Sequence, residues 1–173
     1  RLSVLLQDCI EEFQTQEVNP LQARASHGFV RKRSILTNAD VHRRAKWVLN
    51  VDLEDFFGHL NFGRVRGFFI KNRIFRLNPR VATCIAQIAC YNNSLPQGSP
   101  CSPVLSNLIA HPLDIRLMQL GRKYRCSYSR YADDISFSSK QHKLPVQIAR
   151  IDPETKSVKL GPKLRRIIRD SGF

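Results

Sequence analysis

The chain has 173 residues, 42% of them hydrophobic, with 28 Lys+Arg against 14 Asp+Glu and a net charge of +14. That length permits one sizeable core, and the apolar fraction excludes wholesale disorder. No run approaches the roughly 18 apolar residues of a spanning helix, so a membrane protein is excluded too. The charge points to a polyanionic partner, most simply nucleic acid. Cys9, Cys84, Cys90, Cys101 and Cys126 are scattered, with no C-x-x-C pair. They argue against a disulfide framework or structural zinc and for a reducing, cytoplasmic setting.

In chain order, Leu2, Leu5, Leu6, Cys9, Ile10 and Phe13 recur at helical spacing and predict an amphipathic helix, which Asn19-Pro20 stops. Residues 24–44 are basic and polar, with Thr37-Asn38 as the cap of a short helix. Trp47 to Asp52 reads as a mostly buried strand running into the acidic turn Glu54-Asp55, with Phe56-Phe57 next. Val65, Phe68 and Phe69 suggest a short helix. Arg80 to Tyr91 suggests another, with Val81, Cys84, Ile85, Ile88 and Ala89 on its apolar face.

Ser94 to Pro103 holds three prolines and a glycine in ten residues and reads as a loop. A long helix follows from Val104 to about Leu120, bent at Pro112, with Asp114 as a capping or pairing residue after the bend. Ser127 to Ser139 alternates around Ala132-Asp133-Asp134 and reads as a hairpin. A second hairpin turns at Asp152 to Thr155, and a basic helix from Lys163 to Asp170 ends at Gly172. With no repeat or linker, one domain is expected, divisible into two lobes near Lys46.

Two acidic clusters interrupt the basic background: Asp52-Leu53-Glu54-Asp55 at a strand end, and Asp133-Asp134 in a tight turn. Successive strand residues point to opposite faces, but a hairpin tip rotates its side chains and escapes that rule. If Asp52's strand lies beside the hairpin, three carboxylates gather. Such a cluster requires cations, and two Mg²⁺ ions roughly 3.5–4 Å apart are the usual arrangement for phosphoryl transfer. The alternative is that Asp-Asp only forms a turn and that the first cluster is a solvated strand end.

At this point the sequence resembles the reverse transcriptases, in their bacterial retron and group II intron branch. The resemblance rests on Tyr131-Ala132-Asp133-Asp134, on Val51-Asp52-Leu53-Glu54-Asp55-Phe56-Phe57, and on Leu95-Pro96-Gln97-Gly98-Ser99-Pro100 followed by Ser102-Pro103 and Asn107. Ser26-His27-Gly28-Phe29 with Ser34-Ile35, Asn38-Ala39 and His42 adds a segment similar to the retron-like fingers. Each string alone is weak, but four in order over residues 26–139 are specific.

The resemblance implies an α+β fold: a polymerase palm, with an antiparallel sheet and helices on one face, plus part of the fingers. It divides the chain into a partial fingers segment at 1–45 and a palm with intervening fingers elements at 46–173. It implies catalytic carboxylates at Asp52, Asp133 and Asp134, which hold two Mg²⁺ (Mn²⁺ as a substitute) with the Leu53 carbonyl. Phe57 would lie against the sugar of the incoming nucleotide and reject a 2′-OH. Gln97 would contact the nucleotide or template side, and Gly98 would allow close backbone approach. The implied partners are an RNA template, a nucleic-acid primer, dNTPs, a structured non-coding RNA and an effector protein in phage defence.

Read without the resemblance, Phe57 is core packing beside Phe56, and residues 96–103 are a stiff loop. Arg31, Lys32, Arg33, Arg43 and Arg44 are candidate phosphate contacts on an otherwise solvated face. His27 and His42 read as structural hydrogen-bonders, and His59, His111 and His142 have no usable spacing. Arg1 without an initiator Met is expected to be a boundary. Upstream basic fingers residues and a following primer-gripping hairpin and thumb are expected to lie outside this sequence. Gly58-His59 departs from the pair usual after the double Phe. The competing reading is therefore a nucleic-acid-binding or assembly fragment that carries catalytic residues without turning over.

Overall fold

The computed structural model describes residues 1–16 and 25–173; the expected stop at Asn19-Pro20 lies outside them. The chain forms two compact units that interleave in sequence: Arg1–Asn19 with Asp55–Ala110, and Pro20–Glu54 with His111–Phe173. Among the described residues the crossings fall at 54/55 and 110/111.

In the first unit, α1 (Leu2–Gln16) buries Leu6 while Leu5 and Val4 stay exposed. A four-residue helix, α3 (Phe56–His59), follows the acidic turn. α4 (Phe62–Lys71) starts where Asn61 Oδ1 accepts from the Arg64 amide at 3.0 Å. α5 (Pro79–Ala89) starts at Asn78, with Pro79 in the first turn, where its missing N–H costs nothing. The buried face of α5 is Ala82, Ala86 and Ala89, whereas Val81 and Ile88 are 48% and 70% exposed. That corrects the expected apolar face. α5 packs against α4, with Arg66 Nε donating to Thr83 Oγ1 at 2.9 Å, and small residues let two helices approach closely.

The second unit holds α2 (Ile35–Val41) and a three-stranded antiparallel sheet of order β1-β3-β2, from β1 (Trp47–Asp52), β2 (Ser127–Tyr131) and β3 (Asp134–Ser139). The cap of α2 is Ser34, not Thr37-Asn38. Ser34 Oγ accepts from the Thr37 amide, and Thr37 Oγ1 from the Ser34 amide, a capping box. α6 (Ser102–Lys123) runs through Pro112, and its second half belongs to this unit. Leu113, Leu117 and Leu120 of α6 are buried, as are Leu49, Tyr128, Ile135 and Phe137 of the sheet. A Cβ at Gly121 would meet Phe137 and Tyr128 at 3.5 Å, ordinary van der Waals separation, so helix and sheet are in direct contact.

β4 (Ala149–Ile151) and β5 (Val158–Leu160) form a separate hairpin. Asp152 Oδ1 accepts from the Glu154 and Thr155 amides there, and Lys159 Nζ reaches Oδ2 at 2.7 Å. α7 (Pro162–Asp170) ends as expected at Gly172. Gly172 has φ +80 and donates to the Arg169 carbonyl, while the Phe173 amide donates to Ile168, a Schellman closure. The mixture of helices and antiparallel sheet is the α+β polymerase palm with part of the fingers that the sequence implies.

Candidate active site

Along β1, Leu49 is buried while Val48, Asn50 and Asp52 are exposed, so period-2 alternation puts Asp52 on the sheet face away from α6. The β1/β3 register pairs Asn50 with Ser136 and Asp52 with Asp134. Directly opposed residues share a face with Cβ atoms about 4.5–5.5 Å apart, so these two carboxylates are neighbours.

The β2/β3 register closes with Tyr131 opposite Asp134, leaving Ala132 and Asp133 as a two-residue turn. Ala132 has φ +55 and Asp133 is not in the left-handed region, the φ pattern of a II′ hairpin. The turn thus brings Asp133 to the same edge. The Leu53 amide donates to the Asp133 carbonyl at 3.2 Å, tying the end of β1 to the hairpin tip.

Asp52 and Asp134 are exposed and Asp133 half-buried. The Asp134 carboxyl is held above its ordinary range, first by desolvation and then by the charges of Asp133 and Asp52. Among the described residues, no three His, Cys, Asp or Glu side chains stand at ready ligating spacing. The ladder gathers the carboxylates on one edge without closing them into a cage.

The hairpin tip is supported from below. Arg130, with 0% exposure, donates from Nε and Nη2 to the two Asp114 carboxylate oxygens at 2.8 and 2.7 Å. Its Nη1 donates to the Ala132 carbonyl at 2.7 Å, and Tyr128 Oη donates to Asp114 Oδ1 at 2.6 Å. Burial alone would lower the Arg130 pKa, but the charge and hydrogen bonds of Asp114 reverse this and keep the guanidinium protonated. Asp114 is thus a pairing residue. Arg130 is absent from the sequence candidates, although an Arg at an inward strand position facing an Asp on a helix is a readable signal.

Residues 25–28 run beside β2. The Arg130 amide donates to the Ala25 carbonyl and the His27 amide to the Arg130 carbonyl, each at 2.8 Å. His42 lies over the open face of the sheet, with Nδ1 2.7 Å from Ser138 Oγ and Nε2 2.7 Å from Ser129 Oγ. Desolvation, then the charge of His27, lowers its pKa. His27 Nδ1 is 2.9 Å from Thr37 Oγ1. Both histidines thus make the structural contacts expected of them. Arg33 of the basic run donates to the Ser26 carbonyl, while Arg31, Lys32 and Arg44 are exposed.

Phe57, Gln97 and Gly98 belong to the other unit. Phe57 is half-buried in α3, edge-on to Phe56 with centroids 5.4 Å apart. A Cβ on Gly58 would meet the Asp55 carboxylate, so the glycine leaves room inside α3 for that exposed side chain to fold back. The Leu95 amide donates to the Leu60 carbonyl at 3.1 Å, which connects this corner to the proline-rich loop. Ser102 Oγ donates to the Pro96 carbonyl at 2.6 Å and its amide to Ser99, closing the loop that exposes Gln97 and Gly98. Gly98 sits at φ +86, where an L side chain is strained, with open space around its Cβ position.

An antiparallel sheet with two aspartates at a hairpin tip and a third opposite them is the arrangement of a template-directed polymerase palm. The family described as "Reverse transcriptase (RNA-dependent DNA polymerase)" matches residues 2–161, and the chain belongs to it. Over 122 residues it is 42% identical to the Retron Ec86 reverse transcriptase of Escherichia coli, covering 70% of this chain and 37% of that protein. Over 136 residues it is 36% identical to the Retron Mx162 reverse transcriptase of Myxococcus xanthus, covering 70% and 28%. With the Retron Mx65 reverse transcriptase of Myxococcus xanthus it shares 37% identity over 131 residues, 65% and 30%. The chain therefore spans between 28% and 37% of the length of these curated relatives. No described helix is long and apolar enough to cross a membrane.

Proposed function

We propose that this chain carries the catalytic centre of a retron-type RNA-directed DNA polymerase, which adds dNTPs to a primer 3′ end along an RNA template. The observation that carries this reading is register: Asp52 directly opposes Asp134, beside a two-residue turn that holds Asp133. Membership of the reverse transcriptase family supports it.

Reverse transcriptases use divalent metal ions. The donor set here is all oxygen, which suits a hard cation such as Mg²⁺, with Mn²⁺ as a substitute. The raised Asp134 pKa reflects desolvation first and then the charges of Asp133 and Asp52, a repulsion that a cation would relieve. Asp52, Asp133, Asp134 and the Leu53 carbonyl would hold two such ions. When bound, these would activate the primer 3′ oxygen and neutralise charge on the triphosphate.

The remaining roles fall to the chain itself. The Phe57 ring packs against the sugar and excludes a 2′-OH by overlap. Gln97 and the Gly98 backbone contact the nucleotide or template side, and Arg31, Lys32 and Arg44 meet phosphates. Residues 1–45 serve as partial fingers and 46–173 carry the palm. A structured non-coding RNA as template and primer source is consistent with the retron relatives, and an effector protein in phage defence is the further partner of this reading. The five free cysteines suit the reducing cytoplasm.

The test is primer extension on an RNA template by the intact protein, beside a salt-dependent RNA-binding titration. Replacing Asp133 and Asp134 by Asn should abolish incorporation and leave RNA binding; retained synthesis sinks the assignment. Wild-type binding without extension would instead make the chain a nucleic-acid-binding module.

A further inference from the structure

Arginine is almost never fully buried unless paired, and a buried ion pair is often no more stabilising than a well-packed apolar pair. Arg130 is the largest fully buried side chain among the described residues, so its retention calls for more than packing. All three of its guanidinium nitrogens are engaged. Two nitrogens hold Asp114, whose Oδ1 also accepts from Tyr128, and the third nitrogen holds the Ala132 carbonyl at 2.7 Å.

Ala132 is the residue whose backbone is left-handed, at φ +55. For an L-residue a positive φ is disfavoured and persists only where the surroundings impose it. The next carbonyl, of Asp133, is held from the other side by the Leu53 amide at 3.2 Å. Two successive carbonyls of the turn are therefore fixed by a guanidinium on one side and a neighbouring strand on the other. The Asp133 and Asp134 side chains start from the peptide units so fixed.

We infer that Arg130 is a positioning residue: its guanidinium, oriented by Asp114 and Tyr128, imposes the turn that aims Asp133 and Asp134 at their cations. This rests on the polymerase reading for its function, but the geometry it concerns lies wholly within the second unit. Lysine separates the clamp from the ion pair, because its ammonium can keep the charge pairing with Asp114 without the planar fork that also reaches Ala132.

The experiment uses the intact polymerase with Arg130→Lys and Tyr128→Phe. Three quantities are read: the unfolding midpoint, Mn²⁺ binding by electron paramagnetic resonance titration, and the Mg²⁺ dependence of incorporation with dNTP KM measured separately. Residues that orient ligands typically change metal affinity by 10–100-fold. Arg130→Lys should therefore fold, bind Mn²⁺ about 10-fold more weakly and require about 10-fold more Mg²⁺, with dNTP KM and primer-template affinity held.

Tyr128→Phe leaves the Arg130–Asp114 pair whole and should weaken Mn²⁺ binding by about 2–3-fold, a smaller step in the same direction. It decides the matter if Arg130→Lys does not fold. Wild-type metal binding in a folded Arg130→Lys variant overturns the inference, as does an unchanged Tyr128→Phe where Arg130→Lys is unfolded. A wild-type protein that binds Mn²⁺ but incorporates nothing would sink the polymerase reading instead, while the Mn²⁺ titrations still judge the clamp.

Discussion

A Cβ on Gly28 would collide with the backbone nitrogen of Ala132, so the two residues pack backbone against backbone at the hairpin tip. The register explains the contact. Ser26 bridges Arg130 in parallel, and two residues further along each strand brings Gly28 onto Ala132. The backbone of residues 26–28 is thus a buttress of the acidic turn. Gly28→Ala should destabilise the protein by about 1–3 kcal/mol, the usual cost of overpacking. A denaturant midpoint equal to wild type would show that the turn can give way.

The buried pair makes a second prediction. Asp114→Ala leaves the Arg130 guanidinium charged and without its carboxylate in the core, a defect that typically costs about 3–5 kcal/mol. Equilibrium unfolding checks it. A loss below about 1 kcal/mol, the size of an exposed pair, would show that water reaches the site.

Asp134 is held in an unfavourable charge state by desolvation and by Asp133 and Asp52. Asp134→Asn should therefore raise the unfolding midpoint when divalent ions are chelated, even as it abolishes incorporation. In saturating Mg²⁺ the difference should shrink or reverse, because a cation held there would relieve the same repulsion in wild type. Melting curves with and without chelator decide it, and a lower midpoint in chelator would mean that the carboxylate is stabilising.

His42 contributes to the pH dependence, as does His111, whose pKa burial also lowers. Its folded pKa lies below the ordinary 6.5, so the folded state binds fewer protons than the unfolded chain in that window. Its contribution to stability is complete above pH 6.5 and is lost as pH falls through the lowered value. Both ring nitrogens face serine hydroxyls, one of which must donate to a neutral imidazole. The acid limb of a stability–pH curve should flatten in His42→Gln, whereas an unchanged slope would place the titration elsewhere.

Phe57 is the proposed wall against the nucleotide sugar, and Phe57→Ala should raise incorporation of ribonucleotides relative to deoxyribonucleotides. Since one steric contact is worth roughly 10–200-fold in discrimination, the ratio should move by at least about 10-fold. The ratio of kcat/KM values for dNTP and rNTP checks it. Loss of stability with an unchanged ratio would leave Phe57 as a packing partner of Phe56.

Local elements were readable from the residues because local interactions make them. Alternation defines β1, a tight turn beside Asp133 defines the hairpin (Ala132-Asp133, one residue earlier than the Asp133-Asp134 pair suggests, with Asp134 opening β3), and Gly172 ends α7. The apolar face of α5 was not readable. Its larger side chains, Val81 and Ile88, score as the hydrophobic stripe, but close approach to α4 selects the alanines at 82, 86 and 89. The cap of α2 shifted for a related reason: Ser34 and Thr37 cap each other reciprocally, which a single-residue reading of Thr37-Asn38 misses.

By itself the sequence determined the basic charge and the order of the acidic motifs, properties of composition and short-range pattern, and through the family these motifs resemble it implied the α+β fold. Only the tertiary structure decided which carboxylates meet, because that depends on the register of strands more than 80 residues apart, in which Asp52 faces Asp134. It also decided what holds them there. Arg130, Asp114 and Gly28 acquire their roles from burial and backbone contact across the sheet, and neither is written in any one stretch of sequence.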